Sequence, residues 1–281
     1  VSAGRVQSVV LKIIVQKETD ISKFTSEQYW NVLGTFNCGI ENAKLYGNDN
    51  VMKKYKNKAD VIALFKQLDK TYYIDTKRSK VKNINENPDK PLTTSTLQQR
   101  AYNEIGFSIQ KTMKVAQELY EQGYITYMRT DSTKLSGDFV QNAKTYISKT
   151  YGNQYVNCKN ENVPSSKNAQ EAHEAIRPTK ITKDIKLKSN DQIKLYTLIF
   201  EKTIASQMRA AQYQELNVII NNTFLDKYNY YFVGKIKHLA FNGFKIIYGI
   251  QNNTDSLQDI AKQLFNHSKI ISKELVGNCI W

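Results

Sequence analysis

The stretch "GYITYMRTDST", Gly123–Thr133, decides how the rest of the chain is read. Tyr124, Ile125, Thr126 and Tyr127 favour strand, and the sequence predicts a short strand here. That strand would end in a phenol at Tyr127, a guanidinium at Arg129, and then Thr130, Asp131, Ser132 and Thr133. Alternate side chains of a strand share a face. Tyr127 and Arg129 are therefore expected to project together, about 7 Å apart at their Cα atoms, with Thr126 and Met128 turned the other way. A free phenol is almost wholly protonated at neutral pH. A nearby cation eases its ionisation and can grip a phosphate oxygen bidentately, which makes a tyrosyl oxygen beside an arginine a candidate nucleophile on phosphorus. The polar cluster that follows could bind the same phosphate or simply cap a turn. On residue types alone the ordinary structural reading is the stronger one. The chain has 18 tyrosines, and Arg129 could pair with Asp131 where a strand meets solvent.

The periodicity outward from this stretch predicts helices on both sides. Ser95 or Thr96 can cap a helix through Gln99 that Gly106 closes, and Ser108 can cap a second that stops at Gly123. Ser136 starts a third, on Phe139, Ala143, Tyr146 and Ile147. "EAHEAIRP" reads as a helical turn stopped by Pro178, and Ser189–Met208 as the longest helix. Nearer the start, "SAGRVQSVVLKIIVQKETDI" reads as a turn into a helix striped with Val6, Val9, Val10, Ile13 and Ile14. "QYWNVLGTFNCG" and "TYYIDTKRSKVK" read as strands, with a short helix on Val61, Leu64, Phe65 and Leu68 between them. "NENPDKPLTTS" is a linker. Toward the end, Leu216, Val218 and Ile220 alternate as in a strand, and "YYFVGKIKHLAFNGFKIIYG" reads as two strands joined at Asn242–Gly243. A last helix is expected on Leu257, Ile260, Ala261, Leu264 and Phe265. Helix-rich and strand-rich stretches in succession make this a multidomain α+β chain.

The bulk numbers name a partner class. Forty Lys and Arg against 26 Asp and Glu give a net charge of +14, with a pI near 9.4, which points to a polyanion, nucleic acid first. Cys38, Cys158 and Cys279 form no CxxC pair, so neither a disulfide framework nor a zinc site is suggested. That favours a reducing compartment. No apolar run reaches the roughly 18 residues of a membrane span, and no signal peptide is visible. A cytoplasmic protein with no membrane partner is expected. A chain that starts at Val1 and ends in "GNCIW" reads as a fragment.

Four ordered segments carry a resemblance. "GYITYMRTDST" resembles the active-site stretch of type IA DNA topoisomerases, in the wording of the bacterial topoisomerase I branch. "SAGRVQS" at Ser2–Ser8, "TTSTLQQRA" at Thr93–Ala101 and "QEAHEAIRPT" at Gln170–Thr179 are similar to three further family segments, in the family's order. The resemblance covers residue 1 to about 247. The resemblance implies that Tyr127 attacks a single-stranded DNA phosphodiester, giving a 5′-phosphotyrosyl link and a free 3′-hydroxyl. It implies strand passage, religation and ATP-independent relaxation of negative supercoils by the whole protein. No GxxxxGK[ST] sequence is present, which agrees.

It also implies site roles. Arg129 would hold the scissile phosphate, with Thr130 and Asp131 as positioners at the same strand end. His173 would lie near the nucleophile and a DNA phosphate, with Arg177 one helical turn on. Ser2, Ala3, Gly4, Arg5, Val6 and Gln7 would contact the DNA strand, and Gln98 could add a polar contact. The family binds Mg2+ on an acidic DxDxE set. No Asp here is followed two positions later by Asp, so the ligands are expected in an N-terminal domain outside the chain and the isolated fragment is expected to be inactive. The implied fold is part of a toroid: residues 1–78 in its base, 79–89 and 212–254 in a strand-rich arch, 90–211 as an inserted helical domain bearing Tyr127, and 255–281 as a terminal helix of uncertain place.

Two other readings stay open on the sequence. One is a basic single-stranded nucleic-acid binding module that never cuts, with "TYYIDTKRSK" and "DKYNYYFVGKIKH" as aromatic–basic contact strands. The other is a tyrosine recombinase, which would form a 3′ link and need scattered Arg and His around a Tyr near the chain end. The ordered motifs argue against it.

Overall fold

A computed structural model describes the backbone of residues 4–69, 71–157, 174–182, 185–253, 257–265 and 270–280. The chain divides into two compact units. One comprises residues 1–80, 216–236 and 261–281; the other comprises 81–215 and 237–260.

The first unit opens with α1 (Arg5–Lys23), followed by β1 (Tyr29–Phe36), β2 (Ile40–Tyr46), β3 (Lys54–Tyr55), α2 (Lys58–Gln67) and β4 (Thr71–Ile74). The chain then contributes β5 (Lys80–Glu86), α3 (Thr94–Ile105), α4 (Ile109–Glu121), α5 (Gly137–Tyr151) and α6 (Asn190–Ala205), mostly to the second unit. It continues through β6 (Ala211–Asn221), α7 (Thr223–Lys227), β7 (Tyr231–Phe241), α8 (Leu257–Phe265) and β8 (Ile270–Ile280). The α+β expectation holds.

In the first unit the strands pair in the order β2-β7-β6-β4-β8-β1, and β1 also pairs β2. That last pairing closes the ring, which removes the free edges of an open sheet. Val32 and Phe36 of β1 and Ile40, Ala43 and Leu45 of β2 are buried. Phe36 meets Tyr72 and Phe232 edge-on, at 5.1 and 5.5 Å between ring centroids. At Gly234 a Cβ would sit 2.3 Å from the Ile40 methyl, so the close approach of β7 at this point requires glycine.

The second unit is a helical core. Leu97 and Ala101 of α3, Val115, Ala116 and Leu119 of α4, and Ala143 and Ile147 of α5 are buried with Leu195, Ile199 and Phe200 of α6. Ser108 accepts from the Lys111 N–H, the expected cap at α4, and at α6 Ser189 accepts from the Gln192 N–H. At α3 the cap is Thr93, paired reciprocally with Thr96, while Gly106 closes it at φ 69° as expected.

Several expectations are corrected. The stretch around Tyr127 is not a strand: the chain bends at Tyr124, Thr126 and Met128, and its one bridge among the described residues is Ile125 to Pro178. Glu174–Pro178 is not helical. Leu92 and Thr126 take its backbone groups, and Pro178 restricts Arg177 away from helix. Residues 243–248 form a 3₁₀ turn, not a second strand, because the Asn242 side chain donates to Ile250 O and the Phe244 N–H to Arg209 O. "TYYIDTKRSKVK" is two strands broken at Asp75, whose carboxylate takes the N–H groups of Lys77 and Arg78. The longest helix is α1, at 19 residues against 16 for α6. Beyond α8, β8 was not foreseen; it pairs β1 from Ser272 to Ile280 and β4 at Ile270 and Ile271.

Candidate active site

Three pieces of the second unit converge on Tyr127: the run 123–132 leaving α4, the N-terminus of α3, and the extended segment 174–179. α4 ends because Gly123 takes φ 73°, the left-handed conformation that closes a helix at little cost for glycine. The Gly123 and Tyr124 N–H groups then cap Tyr120 O and Leu119 O. Beyond it burial alternates only from Tyr127 to Ser132, without a sheet; Ile125 and Tyr127, which a strand would place on one face, differ. Ile125, Met128, Thr130 and Ser132 are buried; Tyr127, Arg129 and Asp131 are exposed.

Two threonines hold the run from opposite sides. Thr126 Oγ1 donates to Ala175 O at 2.7 Å and accepts from the Arg177 N–H at 2.9 Å, while the Thr126 N–H donates to Arg177 O at 2.9 Å. On α3, Thr94 Oγ1 donates to Met128 O at 2.8 Å and accepts from the Thr130 N–H at 2.9 Å. The Thr94 N–H donates to Thr130 O at 2.9 Å. Buried Met128, 1% exposed, anchors the run between them.

The exposed side chains on this run are uncommitted. Tyr127 is 43% exposed, and its ring meets Tyr120 edge-on at 5.2 Å. Neither its hydroxyl, the Arg129 guanidinium nor the Asp131 carboxylate has a hydrogen-bond or ion-pair partner among the described residues. The alternative pairing of Arg129 with Asp131 is therefore not made. Thr130 differs: its hydroxyl faces inward and accepts from the Ser132 N–H at 3.1 Å.

Arg177 is occupied. Its Nε and Nη2 donate to Glu174 Oε2 at 2.9 and 2.6 Å, its Nη1 donates to Pro178 O at 3.0 Å, and the guanidinium lies 4.5 Å from the Phe139 ring centre. Gln98 is half-buried on α3. Gly4 caps α1 in the other unit, where Gln7 Oε1 accepts its N–H at 3.3 Å. Ser2, Ala3 and His173 lie outside the described residues, and of Arg5 and Val6 only the helical backbone is described. Thr94, Thr126, Glu174 and Tyr120 were missed as site residues. The threonine cluster at the start of α3 was a signal, read as a helix cap and as part of a family segment but not as a support for Arg129.

Among the described residues, no three His, Cys, Asp or Glu side chains come together to hold a metal ion. Nor is any described helix long and apolar enough to cross a membrane.

Residues 1–275 match the family model described as DNA topoisomerase. DNA topoisomerase 1 of Vibrio cholerae is 41% identical over 225 residues, which cover 78% of this chain and 26% of that protein. DNA topoisomerase 1 of Rickettsia prowazekii is 37% identical over 299 aligned residues, covering 99% of this chain and 38% of that protein. The full-length topoisomerase I of Thermotoga maritima superposes with a TM-score of 0.75 at 31% identity, over 100% of this chain and 45% of that one. The chain thus spans 26 to 38% of the length of these two curated relatives.

Proposed function

The chain belongs to the type IA DNA topoisomerase family, bacterial topoisomerase I branch, and on that premise we propose that it carries the nucleophile of a single-strand DNA cleaving and rejoining enzyme. Tyr127 Oη attacks a backbone phosphorus, the P–O3′ bond breaks, the phenolic proton leaves and the 3′-oxygen takes one up. The product is a 5′-phosphotyrosyl link plus a 3′-hydroxyl, and the reverse step reseals the strand without ATP. Arg129 neutralises charge building on the phosphate oxygens, and Asp131, at the same exposed edge, orients the strand. Gly4, Arg5 and Gln7, at the start of α1, contact the DNA backbone together with Ser2, Ala3 and Val6. Gln98 adds a polar contact, and Arg177 and His173 belong to the segment behind the nucleophile.

One observation carries this reading. Tyr127 and Arg129 are both exposed and both without a protein partner among the described residues, on a run otherwise pinned by hydrogen bonds. Exposed, unpaired and rigidly held is what a preorganised phosphate site needs. Magnesium, which the family uses, finds no ligand set among the described residues, and no step here is routed through it. The domain reading places 90–211 as a helical insert reached through 79–89 and 212–254, with 1–78 as base, in a toroid that works as a monomer on the nucleoid. A division of the chain near residues 80 and 216 supports the insertion.

The test uses the full-length protein that contains this chain and a single-stranded oligonucleotide labelled at its 3′ end. The label should move onto the protein on a denaturing gel. Tyr127→Phe should abolish that transfer and plasmid relaxation while single-strand affinity stays within about twofold. A Phe variant that still relaxes plasmid would remove Tyr127 from the role. Single-strand binding without any adduct in the wild type would favour a binding module.

A further inference from the structure

The geometry points to Thr94 as the positioning residue that aims Arg129, an inference that rests on Tyr127 being the nucleophile. The peptide groups on either side of Arg129 are both held by this one side chain. Met128 O, in the preceding peptide, accepts from Thr94 Oγ1 at 2.8 Å, and the Thr130 N–H, in the following peptide, donates to the same oxygen at 2.9 Å. The two soft backbone torsions of Arg129 lie between those peptides. With both planes fixed, the direction in which the guanidinium leaves the backbone is fixed as well. The Thr94 N–H adds a third bond, to Thr130 O at 2.9 Å.

The clamp is itself anchored. Thr94 is the first residue of α3, whose start is locked by the reciprocal Thr93–Thr96 cap, and Leu97 one turn on is fully buried. An unpaired arginine on a free loop would spread its charge over a wide volume. Here the only freedom left to Arg129 is that of its own side chain. The hydroxyl does this by acting as donor and acceptor at once, which serine can also do and valine cannot. Thr94 touches no reacting atom in this account; it acts through Arg129.

The experiment compares wild type, Thr94→Val, Thr94→Ser and Tyr127→Phe in the full-length protein. Three quantities are read: single-turnover adduct formation at saturating labelled oligonucleotide, single-strand affinity, and thermal unfolding temperature. Thr94→Val should slow adduct formation tenfold or more while affinity stays within twofold, and Thr94→Ser should return the rate to within about threefold of wild type. Adduct formation by Thr94→Val at the wild-type rate overturns the inference. So does an equal loss in the Ser and Val variants, or a loss of rate that comes with an equal loss of affinity, since each makes Thr94 a residue of the fold. Tyr127→Phe keeps the two readings apart: an adduct in that variant defeats the nucleophile assignment itself, whatever Thr94 does.

Discussion

Tyr120, in the last turn of α4, meets Tyr127 edge-to-face with 5.2 Å between ring centroids and 63° between planes. Both rings are about two-fifths exposed. The Tyr127 hydroxyl bonds nothing among the described residues, so this ring contact is available to orient the phenol. An aromatic pair of this geometry is worth about 0.5–1.5 kcal/mol. Tyr120→Ala should therefore slow single-turnover adduct formation about two- to tenfold, and Tyr120→Phe should not. Equal rates for Ala and Phe would show that the ring contact does not steer the nucleophile.

Arg177 is expected to act first on the fold. Its fork grips Glu174 and its face covers Phe139, and lysine can reproduce neither. Arg177→Lys should lower stability by about 1–2 kcal/mol, read as a drop of a few degrees in unfolding temperature. An unchanged unfolding temperature would mean that the pair contributes nothing, and would return Arg177 to the pool of free phosphate ligands.

The Glu86–Lys245 pair, 2.7 Å apart, gives a pH signature at both ends. The hydrogen bond from Lys245 holds the Glu86 carboxyl below the usual 4.5, against a smaller opposing effect of burial. Its contribution is present above pH 4.5 and is lost as pH falls through the depressed value. For Lys245, burial acts downward, but the bonds to Glu86 and Tyr213 outweigh it and raise the ammonium above 10.5. That contribution is full below pH 10.5 and is lost as pH rises through the raised value. Urea unfolding across pH should show wild type more stable than Glu86→Gln at pH 7, with the difference vanishing in acid. A gap independent of pH would show that the charge plays no part.

Charge should govern affinity. Each phosphate neutralised on a single strand adds about 0.7 to the log–log salt slope, so three to six contacts give a slope of roughly 2 to 4. Titrating this chain with single-stranded DNA at increasing salt reads the slope. A flat response would make the net charge of +14 a solvated surface only.

Much was legible locally. The serine cap at 108, the glycine stops at 106 and 123, and the apolar stripe of α5 all depend on residues within a turn or two of each other, which is the range over which propensity and capping act. Tyr127 and Arg129 were read from alternation as a pair on one side, and both are exposed, although the chain bends at Met128 between them. The four ordered motifs named the family. What the tertiary structure alone decided lies beyond that range. The strand ring joins Tyr29 to Ile280 and Lys44 to Val233, partners that no local pattern selects, so β8 could not be foreseen from its own residues. Extended, helix-resisting backbone at Glu174–Pro178 follows from Leu92 and Thr126 taking its peptide groups. The freedom of Arg129 beside the commitment of Arg177 follows from which acid lies within reach. Two arginines of one type differ only in their neighbours, and neighbours are settled by packing, because hydrogen bonds and ion pairs act over a few ångströms of space and take no account of distance along the chain.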